Sequence, residues 1–230
     1  MSARTRFVSL VPSATETLLA LGADVVACTR FCEQPDLPHV GGTKNPDVAA
    51  IVALDPDGVV LDEEENRRED AAALAESGLE LLVTAVRTVD DAREAVERLA
   101  ARAGVPAPVW SLPPPLPLAQ VAFVPIWRRP WMSINAETYG AAVLRLLGVD
   151  LVTAAAADRY PTVEPSAMAR PDVVLVPSEP YVFTDAHVDE LRRAFPDAPA
   201  VRVDGQDLFW WGTRTPGAVD RLRSAVPSPR

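Results

Sequence analysis

The chain has 230 residues, 48% of them hydrophobic, with a net charge of −10 and two cysteines. Its acidity and the absence of a basic stripe exclude nucleic-acid binding. The length allows one or two domains with a sizeable core, and no run of about 18 apolar residues marks a transmembrane helix.

In chain order, Phe7–Val11 is a short apolar run and reads as a buried parallel strand. Ser13, with Glu16 at capping-box spacing, reads as the N-cap of a helix that stops at Gly22. Val25–Ala27 is a second strand, and a Pro/Gly-rich loop, Thr29–Asn45, carries Arg30, Phe31 and Cys32. Pro46 opens a helix to Leu54. A strand, Gly58–Leu61, ends in the acidic run Asp62–Glu65, read as a solvated charge cluster. A helix to Ser77 and a strand, Glu80–Val83, follow. Thr88–Ala103 is one amphipathic helix with Ala92, Ala95, Val96 and Leu99 on one face. Six prolines between Pro106 and Pro117 then make a stiff extended linker.

Beyond the linker, Gln120–Val124 is a strand, and the loop 125–135 carries Trp127, Arg128, Arg129 and Trp131. A helix spans Ala136–Leu147, and a loop with Tyr160 leads to a short helix near Pro165. Strand Val173–Val176 is followed by Glu179, Tyr181 and Phe183, then by a helix capped by Thr184. Ala200–Val203 is the last strand. Gly205–Thr213 reads as an aromatic loop with Phe209, Trp210 and Trp211, before a terminal helix from about Pro216.

Two patterns recur in the same order. Leu18, Leu21, Gly22, Asp24 and Val26 match Leu144, Leu147, Gly148, Asp150 and Val152; Pro56–Leu61 is echoed by Pro171–Val176. The expected fold is therefore α/β: two Rossmann-like lobes with parallel sheets, bridged by a single backbone helix. The boundaries are 1–87 for the first lobe, 88–118 for the bridging helix and linker, and 119–230 for the second lobe. Ligands of such sheets bind outside the carboxyl ends of the strands, where these aromatic loops lie. Flat aromatic walls suit a large planar or macrocyclic ligand, because they bury area at low entropy cost.

These landmarks resemble the class III periplasmic-binding-protein superfamily, most closely its cobalamin-binding branch. The likeness is carried by Val8–Glu16, Thr29–Cys32, Val40–Pro46, Glu64–Arg67, Pro125–Met132 and Pro177–Pro180. It implies a non-catalytic binder that holds cobalamin or a related corrinoid as ligand, with no intrinsic cofactor, in an aromatic inter-lobe cleft. Candidate ligand contacts are Ser13, Thr15, Arg30, Phe31, Trp127, Arg128, Trp131, Tyr160, Glu179, Tyr181, Phe183, Phe209, Trp210 and Trp211. Family members that dock on an ABC transporter permease use an exposed acid on each lobe. Glu64, Glu65 and Glu164 are the candidates here, although Arg68 and Ser166 align best with the docking positions.

The first strand follows Met1–Arg6 with no apolar leader, which gives the expectation of a cytoplasmic protein with Cys28 and Cys32 as free thiols. The alternative function is a cytoplasmic enzyme that reuses the cleft, with Glu16, Cys32, Glu179 and Tyr181 as candidate acids, bases or nucleophile. No Ser-His-Asp set, phosphate-binding glycine loop or metal-ligand cluster stands out.

Overall fold

The computed structural model describes residues 4–227 and divides the chain into two compact units. The first takes in residues 4–86, 90–110 and 211–213, and the second residues 87–89, 111–210 and 214–227.

In the first unit, β1 (Arg6–Ser9), β2 (Asp24–Cys28), β5 (Gly58–Asp62) and β6 (Leu81–Thr84) form a parallel sheet in the order β2-β1-β5-β6. Between β2 and β5 the two-residue strands β3 (Gly41–Gly42) and β4 (Asn45–Pro46) close a small antiparallel turn. The helices are α1 (Pro12–Ala20), α2 (Val48–Ala53), α3 (Arg68–Glu76) and α4 (Val89–Ala103), the last folded against this unit over residues 90–103. Every residue of β5 is buried, as expected of a central strand covered on both faces. The core joins Val8, Val59 and Leu61 from the strands, and Leu10 just after β1, to Ile51 and Leu74 from the helices.

In the second unit, β7 (Gln120–Phe123), β9 (Val149–Leu151), β11 (Val173–Pro177) and β12 (Ala200–Val203) form a parallel sheet in the order β12-β11-β7-β9. A short antiparallel pair, β8 (Trp131–Met132) with β10 (Thr162–Val163), stands apart from it. The helices are α5 (Tyr139–Leu146), α6 (Asp185–Ala194), α7 (Gly205–Phe209) and α8 (Thr215–Ala225). Counted within its own unit, each sheet runs second-first-third-fourth strand. The duplicated sequence pattern is thus a duplicated topology.

The repeated Leu-Gly-x-Asp segment has one physical role in both units. Leu21 and Leu147 cap α1 and α5, and Gly22 and Gly148 follow at φ 72° and 76°. That left-handed conformation ends the helix and suits glycine. At Gly148 there is no room either: a Cβ would lie 2.5 Å from the Pro117 carbonyl oxygen.

Four local expectations are corrected. Ser13 is not the cap of α1; Val11 is, without a side-chain bond, and Pro12 sits at the first turn, where its missing N–H costs nothing. Pro46 does not start α2, because Asn45–Pro46 pairs back on Gly41–Gly42. The helix waits for Asp47, whose carboxylate accepts the Ala50 amide at 3.0 Å. Residues 205–213 are not all loop: Asp204 accepts the Asp207 amide at 3.1 Å and caps α7. The acidic run is not wholly solvated, since Asp62 is buried.

Candidate functional site

The carboxyl edge of the first sheet is formed by loops after β1, β2 and β5. After β2 the chain turns at once: the Cys32 amide donates to the Thr29 carbonyl at 3.1 Å, and the Arg30 amide to the Gly41 carbonyl at 3.0 Å. This turn lifts Phe31 to 50% exposure, with the Arg30 guanidinium 4.8 Å from its ring centre. Arg30 also passes over Gly42, where a Cβ would lie 3.0 Å from the guanidinium. Phe31 and Arg30 therefore present an apolar face beside a cation.

Ser13 and Thr15 are buried, and Thr15 Oγ1 lies 2.9 Å from the Val11 carbonyl and 3.2 Å from Cys32 Sγ. Thr15 is therefore turned into the protein rather than toward a ligand. Below the acidic loop, Asp62 accepts the Glu64 amide at 2.9 Å and the Thr84 hydroxyl at 2.7 Å. Burial pushes its carboxyl up from the usual range, against the pull of those two bonds. Lys44 Nζ donates to the Glu64 carbonyl; Glu65 is exposed as a residue, yet desolvation and then the Asp62 charge push its carboxyl up.

The second sheet's carboxyl edge divides its aromatics into two sets. Trp131 and Phe183 are buried, at 5% and 3% exposure, and stack at 5.8 Å with rings 10° from parallel. Both belong to the core with Phe123, Val176 and Leu191. Phe183 thus lies in the core, whereas Trp131, buried where β8 pairs with β10, also lines the cavity beside Arg128. Trp127 and Tyr181 form the other set. Trp127 is 45% exposed and meets Tyr181 edge-on at 5.0 Å. Tyr181 in turn leans on Phe183 at 4.9 Å, so the exposed pair is seated on the buried one.

Arg128 is not a free cation. It makes an ion pair with Glu190 of α6 at 2.8 Å and lies 4.8 Å from the Trp131 ring, while Trp131 Nε1 donates to Glu190 at 3.2 Å. Burial would raise the Glu190 carboxyl, but the Arg128 and Trp131 bonds outweigh it and hold it below the usual value. Residue spacing alone missed Glu190, since it is 62 residues from Arg128 and charged like its solvent-facing neighbours. The pair borders a cavity of about 460 Å³ that also includes Pro130, Thr162 and Glu164. The Glu164 carboxylate is turned to the Ser166 hydroxyl at 2.9 Å, at the start of a 3-10 turn, Pro165–Ala167.

The remaining candidates scatter. Tyr160 is 40% exposed. Glu179 is half-buried in the loop after β11, where Gly205 allows a close approach: a Cβ there would meet the Glu179 amide at 2.6 Å. Phe209 packs over Gly140 of α5, and the Trp210 ring lies 5.5 Å from the Arg214 guanidinium. Trp211 is buried and belongs to the first unit. Of the residues considered for catalysis, Cys32 is buried and Glu16 half-buried. Among the described residues no cluster of three or more His, Cys, Asp or Glu is placed to hold a metal, and no helix is long and apolar enough to cross a membrane.

No family model and no curated protein matches the sequence. Solved structures do match over nearly the whole chain. The periplasmic vitamin B12 binding protein BtuF of Vibrio cholerae has a TM-score of 0.76 at 18% identity, over 96% of each chain. The periplasmic heme-binding protein RhuT of Roseiflexus sp. RS-1 has 0.76 at 21%, over 97% of this chain and 98% of that one. An ABC transporter substrate-binding protein from Listeria monocytogenes EGD-e has 0.73 at 14%, over 97% and 99%. The chain shares the fold of these solved structures, and its two units are α/β, each built on a parallel sheet. Vitamin B12 and heme binders both appear among the structures that share it.

These neighbours overturn the expectation of a cytoplasmic protein: the matched structures from Vibrio, Roseiflexus and Pseudomonas are periplasmic proteins.

Proposed function

We propose that this chain is a non-catalytic, extracytoplasmic binding protein for a bulky macrocyclic ligand, either a corrinoid or a heme, that serves an ABC-type uptake system. The observation that carries the reading is the Trp127–Tyr181 pair, exposed at a carboxyl sheet edge and supported from beneath by buried Phe183 and Trp131. An exposed aromatic surface on a rigid base favours stacking, since little side-chain entropy is left to lose on binding. On the first lobe Phe31 with Arg30 supplies an apolar face beside a cation, suited to a ligand's acidic substituents. Neighbours that bind vitamin B12 and heme support this ligand class.

Between the two macrocycles, cobalamin is our preferred ligand, from the sequence likeness to the cobalamin-binding branch. Heme iron needs an axial donor from the protein, and the exposed Tyr160 is the candidate for that role. Absorption titrations with cobalamin, cobinamide and hemin separate the cases. Saturable spectral change with a corrinoid supports the preferred ligand. A shifted Soret band that is lost in Tyr160→Phe assigns heme instead. No saturable change with any of the three overturns the macrocycle reading.

A further inference from the structure

Asn66 closes the acidic run after β5 and, unlike the exposed Glu63 and Glu65, is buried, at 8% exposure. Its backbone amide donates to the Asp62 carbonyl at 3.0 Å, and its Oδ1 accepts the Asp62 amide at 2.9 Å. The second bond fixes which way the side-chain amide faces. Nδ2 then donates to two carbonyls, Thr43 at 2.9 Å and Leu10 at 3.4 Å. Leu10 follows β1, and Thr43 stands at the tip of the hairpin of β3 and β4, beyond β2. One buried side chain thus ties together the chain beyond the carboxyl ends of three strands. Asp62 adds the fourth strand, β6, by accepting the Thr84 hydroxyl at 2.7 Å.

The hairpin in turn holds the Arg30–Phe31 turn. The Gly41 carbonyl accepts the Arg30 amide at 3.0 Å, and Gly42 lies against the Arg30 guanidinium, where a Cβ would come within 3.0 Å of it. At the tip, Lys44 Nζ reaches the Glu64 carbonyl, an exposed second tie to the same acidic turn. We propose that Asn66 is the positioning residue of this edge: it latches the hairpin tip and, through the hairpin, sets where Arg30 and Phe31 stand. The chemistry needs an amide. A carboxylate would turn acceptor oxygens toward the Thr43 and Leu10 carbonyls, and an apolar side chain would remove all three side-chain bonds from a buried place. Only the consequence for a ligand rests on the proposed function.

Asn66→Asp keeps the shape and removes the donor. In ligand-free protein carrying isotope-labelled glycine, the Gly41 and Gly42 amide signals report on the hairpin. At about pH 8 both should leave their wild-type positions, while Gly140, Gly148 and Gly205 of the second unit keep theirs. At about pH 5 the introduced carboxyl, held protonated by burial, regains an O–H donor, and both signals should return to those of wild type at that pH. Comparing the two proteins at each pH removes the titration of Asp62, Glu64, Glu65 and Lys44, which they share. Signals that keep their wild-type positions at both pH values, or that stay displaced in acid, would overturn the proposal. If the variant does not fold, proton exchange at the Asn66 side-chain amide of wild type decides. Protection supports the latch, and exchange as fast as at the exposed Asn45 overturns it. Affinity is the second readout. Whichever of cobalamin, cobinamide or hemin the wild type holds should bind at least about tenfold more weakly to the variant at about pH 8 and recover in acid. A displaced hairpin with unchanged affinity would overturn the positioning role. No binding by wild type would overturn the macrocycle reading alone, because the glycine signals need no ligand.

Discussion

Asp57 and Asp172 hold the same position in the two sheets. Asp57 stands before β5 and exchanges two hydrogen bonds with Arg6: its carboxylate accepts the Arg6 amide at 2.7 Å, and its own amide donates to the Arg6 carbonyl at 2.9 Å. Asp172 stands before β11 and does the same with Val121, at 2.8 and 2.7 Å. Each aspartate joins the third strand of its sheet to the first at the amino edge, opposite the loops at the carboxyl edge. The recurring Pro-Asp dipeptide is therefore a register pin.

Both carboxylates are exposed, so the loss on Asp57→Ala or Asp172→Ala is that of one solvent-competed hydrogen bond, about 1 kcal/mol. Urea unfolding should show a lower midpoint at unchanged slope for each variant, with ligand affinity unaltered. A change in affinity greater than tenfold would show that the amino edges matter to the site.

Trp127 and Trp131 are four residues apart and should behave oppositely. Trp131→Ala opens the core beneath Phe183 and should cost about 3–5 kcal/mol. Trp127→Ala removes a side chain already 45% exposed and should cost under about 1 kcal/mol. Thermal unfolding measured beside ligand affinity separates a structural tryptophan from a contacting one.

Glu190 makes the lobe's stability depend on acid. Its folded pKa lies below the unfolded value, so its contribution is present above the ordinary carboxylate pKa and is lost as pH falls through the depressed one. Glu190→Gln should lower stability by about 1 kcal/mol at neutral pH, discounted for partial exposure, and by progressively less as pH falls through the depressed value. A loss that does not change with pH would mean that packing, rather than charge, sets the effect.

Gly205→Ala tests how the Glu179 loop is positioned. Its Cβ would meet the Glu179 backbone at 2.6 and 2.9 Å, and the Gly205 amide donates to Ser178 Oγ at 2.9 Å. Overpacking of this kind costs about 1–3 kcal/mol. The loop must shift, so ligand affinity should fall along with stability. A variant as stable as wild type would mean that the backbone there gives way freely.

The sequence showed most clearly what is local and periodic. The apolar runs of β5 and β11 and the Ala92–Leu99 stripe of α4 needed no partner to be recognised, and the doubled Leu-Gly-x-Asp pattern already pointed to two similar lobes. What it hid depends on pairing across the chain. Pro46 looks like a helix start until Gly41–Gly42 pairs with it. Trp127 and Trp131 look alike until β10 pairs with β8. Arg128 looks like a free cation until α6 brings Glu190 beside it. The cap of α7 could have been read from Asp204 and Asp207, but Gly205 and the aromatics around it pointed to a loop.

If exposed aromatics at the carboxyl edges bind a macrocycle, removing one from each unit must weaken binding. Isothermal titration of cobalamin, cobinamide and hemin into wild type and the Trp127→Ala/Phe31→Ala double variant measures this. Micromolar or tighter binding of one of them is expected, weakened at least tenfold (~1.4 kcal/mol) in a variant that remains folded. Equal affinity in the two proteins, or no heat with any of the three, would rule out aromatic capture of a macrocycle.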